Sequence, residues 1–367
     1  MCGYLALTYV LVFLISFLEL SFKKKSLINN NSLKICIGLF PVALGIITTY
    51  FEPHSNADLY YQFYRIKLLK DVPFFSFLKS MFGDAMWGEN LIFWAFSRFD
   101  NVEFYPFFFT TLVIGITLAL GLKNCGNYIP ARIVVISLLI YFAGNDLSSV
   151  FGGVRNKFVN GVIVWCLYKI IVEKRKKIPY FAAITFCCFV HVSVIMTLMI
   201  ACLAVVLKGK KKVAFIFIPL LYSVVLNAIE KIGNSTVQFF AIKIKFYFED
   251  YYKLSFKMLL GSGVLLVMIL IALSLINKET LTDGELKYLG VVEGFALFGI
   301  GCLNAPHIMT RQIGLCCCAM LPLLGKIVID KRRIKSYILL CSGTVAIIIN
   351  YIYGFLTLTE AYMFKLI

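Results

Sequence analysis

Apolar stretches about as long as a membrane is thick recur from one end of this chain to the other. Runs of about twenty residues with almost no charge are typical of membrane-spanning helices. The chain has 367 residues, of which 60% are hydrophobic, and a mean hydropathy of +0.87. A soluble domain cannot bury that much apolar surface. The sequence therefore predicts an all-α, polytopic integral membrane protein that forms one membrane domain over residues 1–367.

We delimit the apolar stretches as 2–20, 35–51, 103–122, 131–148, 154–172, 178–207, 213–229, 258–276, 287–304, 312–328 and 336–354. The net charge of +17 is concentrated in short basic clusters between them. This distribution is typical of cytoplasmic turns and argues against a nucleic-acid-binding role. The cysteines form no C-x-x-C pair, and the chain has no H-x-x-x-H pattern and no phosphate-binding loop ending in GK[ST]. We therefore expect neither a metal site nor a cofactor.

Two basic clusters determine the expected topology. "EKRKK" (173–177) and "KGKKK" (208–212) flank the stretch 178–207, and both belong in the cytoplasm by the positive-inside rule. A single crossing would separate them, whereas about thirty residues are too few for two ordinary spans. The sequence favours a hairpin of two short helices that turns near residues 190–193. The alternative is one long, tilted helix with a buried, hydrogen-bonded histidine.

With the hairpin, about twelve membrane segments and both termini outside follow from the positive-inside rule. Long outer loops then span about 52–102 and 230–257, and short outer loops hold "GNDLSSVFGGVR" (144–155) and "NAPHIMTR" (304–311). Short helices that end at membrane depth are tolerated where they line a cavity. We therefore expect a recess that opens to the outer face, with His191 at its floor.

The first outer loop carries a cluster of aromatic and charged residues. At helical spacing, Asp58, Tyr61 and Arg65 fall on one face. Aromatic rings beside a carboxylate and a guanidinium group suit a sugar ring. The alternative is an interfacial amphipathic helix within an aromatic belt. The stretch 85–99 is likewise expected to form an interfacial or re-entrant helix.

Two arginines enter predicted spans from the outer face. "GGVRNKFVNG" (152–161) places Arg155 and Asn156 at the start of one span. "NAPHIMTRQIG" (304–314) places His307 and Arg311 at the start of another, after Pro306 has ended the preceding helix. Arginine at a helix N-terminus suits a phosphate group, although a boundary charge can also be a simple anchor. Asp146 is a further outer acid, for which a solvated loop charge is the competing interpretation.

Residues 151–200 and 56–64 resemble a known family. Arg155, the "EKRKK" turn and then Phe189, His191 and Ser193 resemble the signature region of the EpsG family, the Wzy-like membrane polymerases of bacterial surface polysaccharides. "NADLYYQFY" (56–64) is similar to the first outer loop of that family, and Arg311 matches its arginine in a late helix. Two departures stand out: Val190 lies between Phe189 and His191, and Asn156 replaces the usual Gln.

The resemblance implies a metal-independent glycosyltransferase, compatible with a GT-C-like architecture, in the bacterial cytoplasmic membrane with its site facing the exterior. The enzyme would polymerise undecaprenyl-diphosphate-linked repeat units for an O-antigen, capsule or exopolysaccharide. An acceptor hydroxyl would attack the anomeric carbon of the donor glycan, and polyprenyl diphosphate would leave. A flippase and a chain-length regulator would be its partners.

The roles of individual residues follow from that reaction. Arg155 and Arg311 would neutralise the leaving diphosphate, and His191 would act as the base. Asp58, Tyr61, Arg65, Asn156, Asp146 and His307 would contact the substrate. The alternatives are a flippase or exporter of lipid-linked oligosaccharide, a glycan ligase, and an acyltransferase. A flippase requires cations along the depth of the membrane, whereas both arginines are expected near one face.

Overall fold

The computed structural model describes residues 30–53, 57–81, 84, 86–125, 130–145, 147–207, 209–221, 256–303, 305–328 and 333–364, together with residues 55, 232, 238, 242 and 245. Within these residues the fold is almost entirely helical, which confirms the all-α class. The α-helices are α1 (Asn30–Thr48), α2 (Asp58–Leu68), α3 (Phe74–Met81), α4 (Trp87–Phe96), α5 (Phe104–Gly121), α6 (Ala131–Gly144), α7 (Leu147–Gly152), α8 (Val154–Ile171), α9 (Lys177–Val190), α10 (Ser193–Val206), α11 (Ala214–Phe217), α12 (Phe256–Leu275), α13 (Asp283–Gly301), α14 (Pro306–Val328) and α15 (Arg333–Ala361).

Two strands of three residues are the described exception to the helical fold. Strand β1 (Phe51–Pro53) follows α1, and strand β2 (Tyr362–Phe364) follows α15. They pair antiparallel, with Phe51 opposite Phe364. The pairing joins the chain segment just before α2 to the far end of the sequence.

Helix length decides how much of the membrane prediction the structure supports. Helix α5 and the segment Ile308–Val328 of α14 are long and apolar enough to cross a membrane. Six further apolar helical segments have between 10 and 17 residues. The predicted count of about twelve segments stays a prediction. Its stretch 2–20 and most of its outer loop at 230–257 lie outside the described residues.

Basic residues from several turns gather at one end of the helices, which we call the basic end. Lys123, after α5, pairs with Glu173, after α8, at 2.6 Å. Lys326, in the last turn of α14, pairs with Glu285, in the first turn of α13, at 3.2 Å. The start of α13 also touches the end of α8, because a Cβ on Gly284 would lie 2.9 Å from the Ile171 carbonyl oxygen. The ends of α5, α8 and α14 and the start of α13 therefore lie together.

The predicted short-helix hairpin is present, and a single long helix over 178–207 is excluded. Helices α9 and α10 have 14 residues each. They are separated at His191, whose backbone is extended (φ −151°, ψ 119°). Helix α9 leaves the basic end after the turn at 172–176, and α10 returns toward it. Ala204 near the end of α10 packs on Gly294 of α13, and Lys212 beyond it pairs with Glu293 at 2.5 Å.

The predicted outer loops contain several helices, of which two match expectations from the sequence: α2 at the predicted helical face of residues 58–65, and α4 within the helix expected at 85–99. The long loop at 52–102 holds α2, α3 and α4. The loop "GNDLSSVFGGVR" holds α7, and "NAPHIMTR" is largely the first turns of α14, which begins at Pro306. Helices α3 and α7 were not predicted from the sequence. Helix α3 begins directly after Pro73, and α14 begins at Pro306, since proline is well tolerated at the first helical position.

The predicted span 213–229 also differs from the structure. Its described part consists of two 3₁₀ segments, Gly209–Val213 and Ile218–Leu221, on either side of the four-residue helix α11. Pro219 has no backbone N–H to donate, which weakens a continuous α-helix at this point. Residues 222–229 lie outside the described part of the chain.

The end opposite the basic end, which we call the glutamate end, is built around helix α4. Helix α4 packs against α2, α3 and α9. A small apolar cluster joins it to α5 and α8 through Phe93, Phe96, Tyr105, Phe109 and Val154. Trp94 donates a hydrogen bond to the Val72 carbonyl oxygen at 2.9 Å, which fixes the turn between α2 and α3. These contacts hold the start of α8 beside the start of α4.

Candidate functional site

Glu89, in the first turn of α4, is the centre of a buried charge cluster at the glutamate end. Its side chain is 6% exposed. The Arg155 guanidinium donates a hydrogen bond to Glu89 Oε1, and Arg65 Nη1 lies 3.7 Å from the same oxygen. Arginine side chains from α2 and α8 therefore meet at one carboxylate on α4.

Arg65 is held in place by a second set of contacts. Its Nη2 donates a hydrogen bond to Asn90 Oδ1 at 2.9 Å. Asn90 Nδ2 donates in turn to Asp84 Oδ2 at 2.5 Å. Because Asn90 follows Glu89 directly on α4, the same helical turn presents both partners to Arg65. The side chain of Arg65 nevertheless remains 49% exposed.

The Phe93 ring contacts both arginines of the cluster. The guanidinium carbons of Arg65 and Arg155 lie 5.5 Å and 5.8 Å from the centroid of the Phe93 ring. Both distances suit a cation–π contact. The Tyr105 ring packs edge-on against Phe93 with centroids 5.8 Å apart. Its buried hydroxyl has no hydrogen-bond partner within the described chain, and neither does Arg155 Nε.

The environment of Glu89 changes its ionisation. Burial raises the pKa of the Glu89 carboxyl group above its ordinary value of 4.5. Arg155 and Arg65 oppose this rise, while the carboxylates of Asp84 and Asp58 add to it. Desolvation is the largest effect, because a charged carboxylate loses its hydration in a buried position. Glu89 therefore takes up a proton more readily than an exposed glutamate does.

A second polar contact chain ties α6, α8 and α14 together at the same end. Lys157, two residues after Arg155, donates to Asn145 Oδ1 at 2.7 Å. Asn145 Nδ2 donates to the Gly314 carbonyl oxygen at 3.1 Å. Gly314 lies one helical turn beyond Arg311 on α14. The contact chain therefore brings the helix that carries Arg155 and the helix that carries Arg311 together.

His191 caps the end of α9 and also contacts the start of α10. Its Nδ1 lies 2.6 Å from Ser193 Oγ, and it accepts a hydrogen bond from the Ser193 backbone N–H at 3.3 Å. Since a backbone N–H can only donate, Nδ1 is unprotonated in the neutral ring and Nε2 carries the proton. The hydrogen-bond acceptor of the neutral His191 ring is therefore Nδ1, next to the Ser193 hydroxyl.

Aromatic packing brings His191 to the same end as Glu89. The Trp87 and Phe189 rings lie 4.9 Å apart. A Cβ on Gly88 would lie 3.0 Å from the Phe189 carbonyl carbon, so α4 and the end of α9 are in close contact. Gly88 precedes Glu89 by one residue, and Phe189 precedes His191 by two. His191 and Arg155 are thus on elements that both touch the first turn of α4.

The remaining predicted site residues have different outcomes. Asp58 and Tyr61 are exposed on the same side of α2 as Arg65, in the predicted helical arrangement. Asn156 is half-buried beside Arg155 on α8. Arg311 lies in the second turn of α14, deeper than its predicted place at the start of a span. Asp146 and the side chain of His307 lie outside the described residues.

A cleft of about 190 Å³ borders the exposed tyrosine face of α2. Its lining residues include Tyr60, Tyr64 and Lys67 from α2, together with Glu52 and Glu103. These tyrosines lie next to Tyr61 around the helix, so aromatic surface extends from the cleft toward Arg65. Tyrosine rings beside carboxylates can contact a sugar through both its apolar face and its hydroxyl groups.

Sequence analysis did not identify Glu89, Asn90 or Asn145. Glu89 lies in a stretch read as an interfacial helix, and its arginine partners are 24 residues before and 66 residues after it. One signal was present: an acidic residue in an otherwise apolar and aromatic helix needs a buried partner. Among the described residues, no group of three His, Cys, Asp or Glu side chains could hold a metal ion. No family model, curated protein or solved structure matches this chain.

Proposed function

We propose that the protein is a multi-pass membrane glycosyltransferase that polymerises undecaprenyl-diphosphate-linked oligosaccharide units at the outer face of the bacterial cytoplasmic membrane. The observation that carries the proposal is the meeting of Arg65, Glu89 and Arg155 at the end opposite the basic turns. Positive turns belong to the cytoplasmic side, so the cluster would face outward, where lipid-linked repeat units are polymerised.

The arrangement suits a sugar acceptor and a diphosphate leaving group. Arg155 supplies a planar fork that matches phosphate oxygens and needs no metal ion to neutralise the charge that develops as the diphosphate leaves. The exposed face of α2, with Asp58, Tyr61 and Arg65, would hold sugar rings beside it. Arg311, on the helix joined to α8 through Asn145, would contribute a second cation.

His191 is the base in this proposal, and its hydrogen bonds define the route of the proton. Ser193 Oγ lies 2.6 Å from His191 Nδ1. The acceptor hydroxyl would pass its proton to Ser193 Oγ, and the Ser193 hydroxyl proton would move to Nδ1. The acceptor oxygen then bonds to the anomeric carbon, and the bond from that carbon to the diphosphate oxygen breaks. Histidine suits this step because its pKa lies near the working pH.

Reconstitution tests the proposal directly. Purified protein in liposomes is incubated with lipid-linked repeat units isolated from the host, and the products are separated by size. A ladder of glycans on the lipid carrier is expected. Transfer to a different lipid acceptor would indicate a ligase. Movement of the substrate across the bilayer without any new glycosidic bond would indicate a flippase.

A matched pair of substitutions tests the arginine assignment. Arg155→Lys keeps the charge but loses the fork geometry, so we expect a fall in polymer formation of about 100-fold. Arg175→Lys is the control, because the Arg175 side chain is 66% exposed at the basic end, where it pairs with Glu173. Equal polymer yields from the two variants would exclude Arg155 from the reaction.

A further inference from the structure

The charges around Glu89 do not favour a diphosphate as they stand. Arg65 and Arg155 supply two positive charges, but Glu89, Asp84 and Asp58 supply three negative ones within electrostatic range of each other. Glu89 Oε1 also occupies the position between the two guanidinium groups. An anion that enters this position must displace the carboxylate or remove its charge. Glu89 therefore competes directly with the ligand that the arginines are expected to bind.

Two buried donors next to the cluster lack acceptors. Arg155 Nε and the Tyr105 hydroxyl have no hydrogen-bond partner within the described residues, and Tyr105 is fully buried. A buried donor without an acceptor destabilises the protein until a ligand or water supplies one. A single carboxylate oxygen from Glu89 does not satisfy both arginines and the tyrosine. A diphosphate carries enough acceptor oxygens to do so.

We propose that Arg65 and Arg155 form a diphosphate-binding site that the Glu89 carboxylate fills in the absence of ligand, and that Glu89 takes up a proton when a diphosphate replaces it. This inference rests on the diphosphate leaving group of the proposed function. Glu89, which was not predicted from the sequence, acts here as an internal competitor of the ligand. The ligand class is the diphosphate of a lipid carrier.

The direction of proton transfer follows from the groups that face Glu89. Arg155 on α8 and Arg65 on α2 lower the pKa of the Glu89 carboxyl group, whereas burial, Asp84 and Asp58 raise it. A bound diphosphate would neutralise both arginines and add its own negative charge. Among the described residues, Tyr105 on α5 is also in electrostatic range of Glu89. With the arginines neutralised, only influences that favour the protonated carboxyl group remain, so the proton comes from solvent.

Calorimetry with inorganic pyrophosphate tests this mechanism without a polymerisation assay. Titrations in buffers of different ionisation enthalpy measure how many protons are taken up on binding. We expect Glu89→Gln to bind pyrophosphate about tenfold more tightly than the wild type, because the competing charge is gone. We also expect the wild type to take up more protons on binding than Glu89→Gln does. Protons exchanged by pyrophosphate itself contribute to both measurements, so the difference between the two proteins reports on Glu89.

Asp100→Asn is the matched control. Asp100 is also a carboxylate of the region 57–101, but it is 99% exposed and contacts Lys70 at 3.4 Å. This variant should bind pyrophosphate with wild-type affinity and proton uptake, while Arg155→Gln should abolish binding. Equal or weaker binding by Glu89→Gln, with unchanged proton uptake, would overturn the inference. If Glu89→Gln does not fold, Glu89→Asp is the substitute. Its side chain is shorter by one methylene, so the carboxylate lies farther from the two arginines and the variant should also bind pyrophosphate more tightly than the wild type.

Further ligands identify the source of the phosphate. A short polyprenyl diphosphate should compete with pyrophosphate, whereas orthophosphate and phosphatidylglycerol should compete at least tenfold more weakly. Equal competition by phosphatidylglycerol would indicate a lipid-headgroup site and overturn the diphosphate assignment. A glycan ladder without the predicted proton uptake would refute this inference alone. Predicted pyrophosphate binding without any ladder would refute the proposed function alone.

Discussion

The Lys212 ammonium group lies 2.5 Å from the Glu293 carboxylate, and this ion pair joins the turn after α10 to helix α13. Lys278, in the turn before α13, reaches the same carboxylate at 3.2 Å. Two basic turns that are far apart in sequence therefore meet at one carboxylate, midway along α13. The positive-inside rule assigns both turns to the cytoplasm.

Labelling of single cysteines tests this orientation. In a background without other accessible cysteines, Lys210→Cys should react with a membrane-impermeant maleimide only after the cells are permeabilised. Lys70→Cys, in the turn after α2, should react in intact cells. Labelling of Lys210→Cys in intact cells would place the basic end outside and would invert the topology.

Glu173 should make the basic end sensitive to acid. Although burial opposes it, hydrogen bonds and attraction from Lys123 and Lys169 lower the pKa of the Glu173 carboxyl group from 4.5 to about 2. A lowered folded-state pKa contributes stability that is present above about pH 4.5 and is lost as the pH falls toward about 2. Glu173→Gln should therefore be less stable at pH 7, by up to about 3 kcal/mol.

Thermal unfolding in detergent at several pH values measures this effect. The difference in melting temperature between wild type and Glu173→Gln should shrink between pH 5 and about pH 2. Glu279→Gln removes an exposed carboxylate that forms no ion pair within the described residues, and it should show no such difference. A constant gap between wild type and Glu173→Gln at every pH would contradict a role for the charge.

Much of the helical framework could be predicted from the sequence. The apolar stretches marked most helices, and the positions of two basic clusters correctly predicted the reversal of the chain near His191. Both signals are local, or depend only on the order of segments along the chain. Within the loop 52–102, α2 and α4 match the helical face and the interfacial helix expected from the sequence, whereas α3 was not predicted. Packing against α4 stabilises this eight-residue helix, because short helices depend on tertiary contacts.

The candidate site was less predictable than the framework. Arg65 and Arg155 were identified separately, but nothing in the sequence indicates that both contact Glu89. Partners separated by 24 and 66 residues in sequence meet only through the packing of α2, α4 and α8. The role of Asn145 between Lys157 and Gly314 depends on three helices at once. Such contacts are consequences of the fold and leave no local pattern.

Gly314 should tolerate no side chain, because α6 and α14 touch at this residue. A Cβ on Gly314 would lie 2.7 Å from both Asn145 Oδ1 and the Gly144 carbonyl oxygen. We expect Gly314→Ala to lower stability by about 1–3 kcal/mol, as overpacking does, and to disturb the hydrogen bond from Asn145. Gly115→Ala is the control, since a Cβ there would meet nothing within 4 Å. Equal melting temperatures for the two variants would contradict the close helix contact.

His191 combines a structural contact with a proposed chemical role, and the two can be separated by isosteric substitution. The side-chain oxygen of Asn lies near the position of histidine Nδ1, so His191→Asn can still accept the hydrogen bond from the Ser193 backbone N–H. It cannot take up a proton near neutral pH. His191→Ala loses both properties.

We therefore expect His191→Asn to match the wild type in expression and melting temperature but to lose polymer formation by about 100-fold or more. His191→Ala should lose activity and also melt at a lower temperature, because the start of α10 loses an acceptor. Ser193→Ala should reduce activity if the proton passes through Oγ, which lies 2.6 Å from Nδ1. Wild-type polymer yield from a stable His191→Asn protein would show that His191 has only a structural role in the hairpin turn and that another residue is the base.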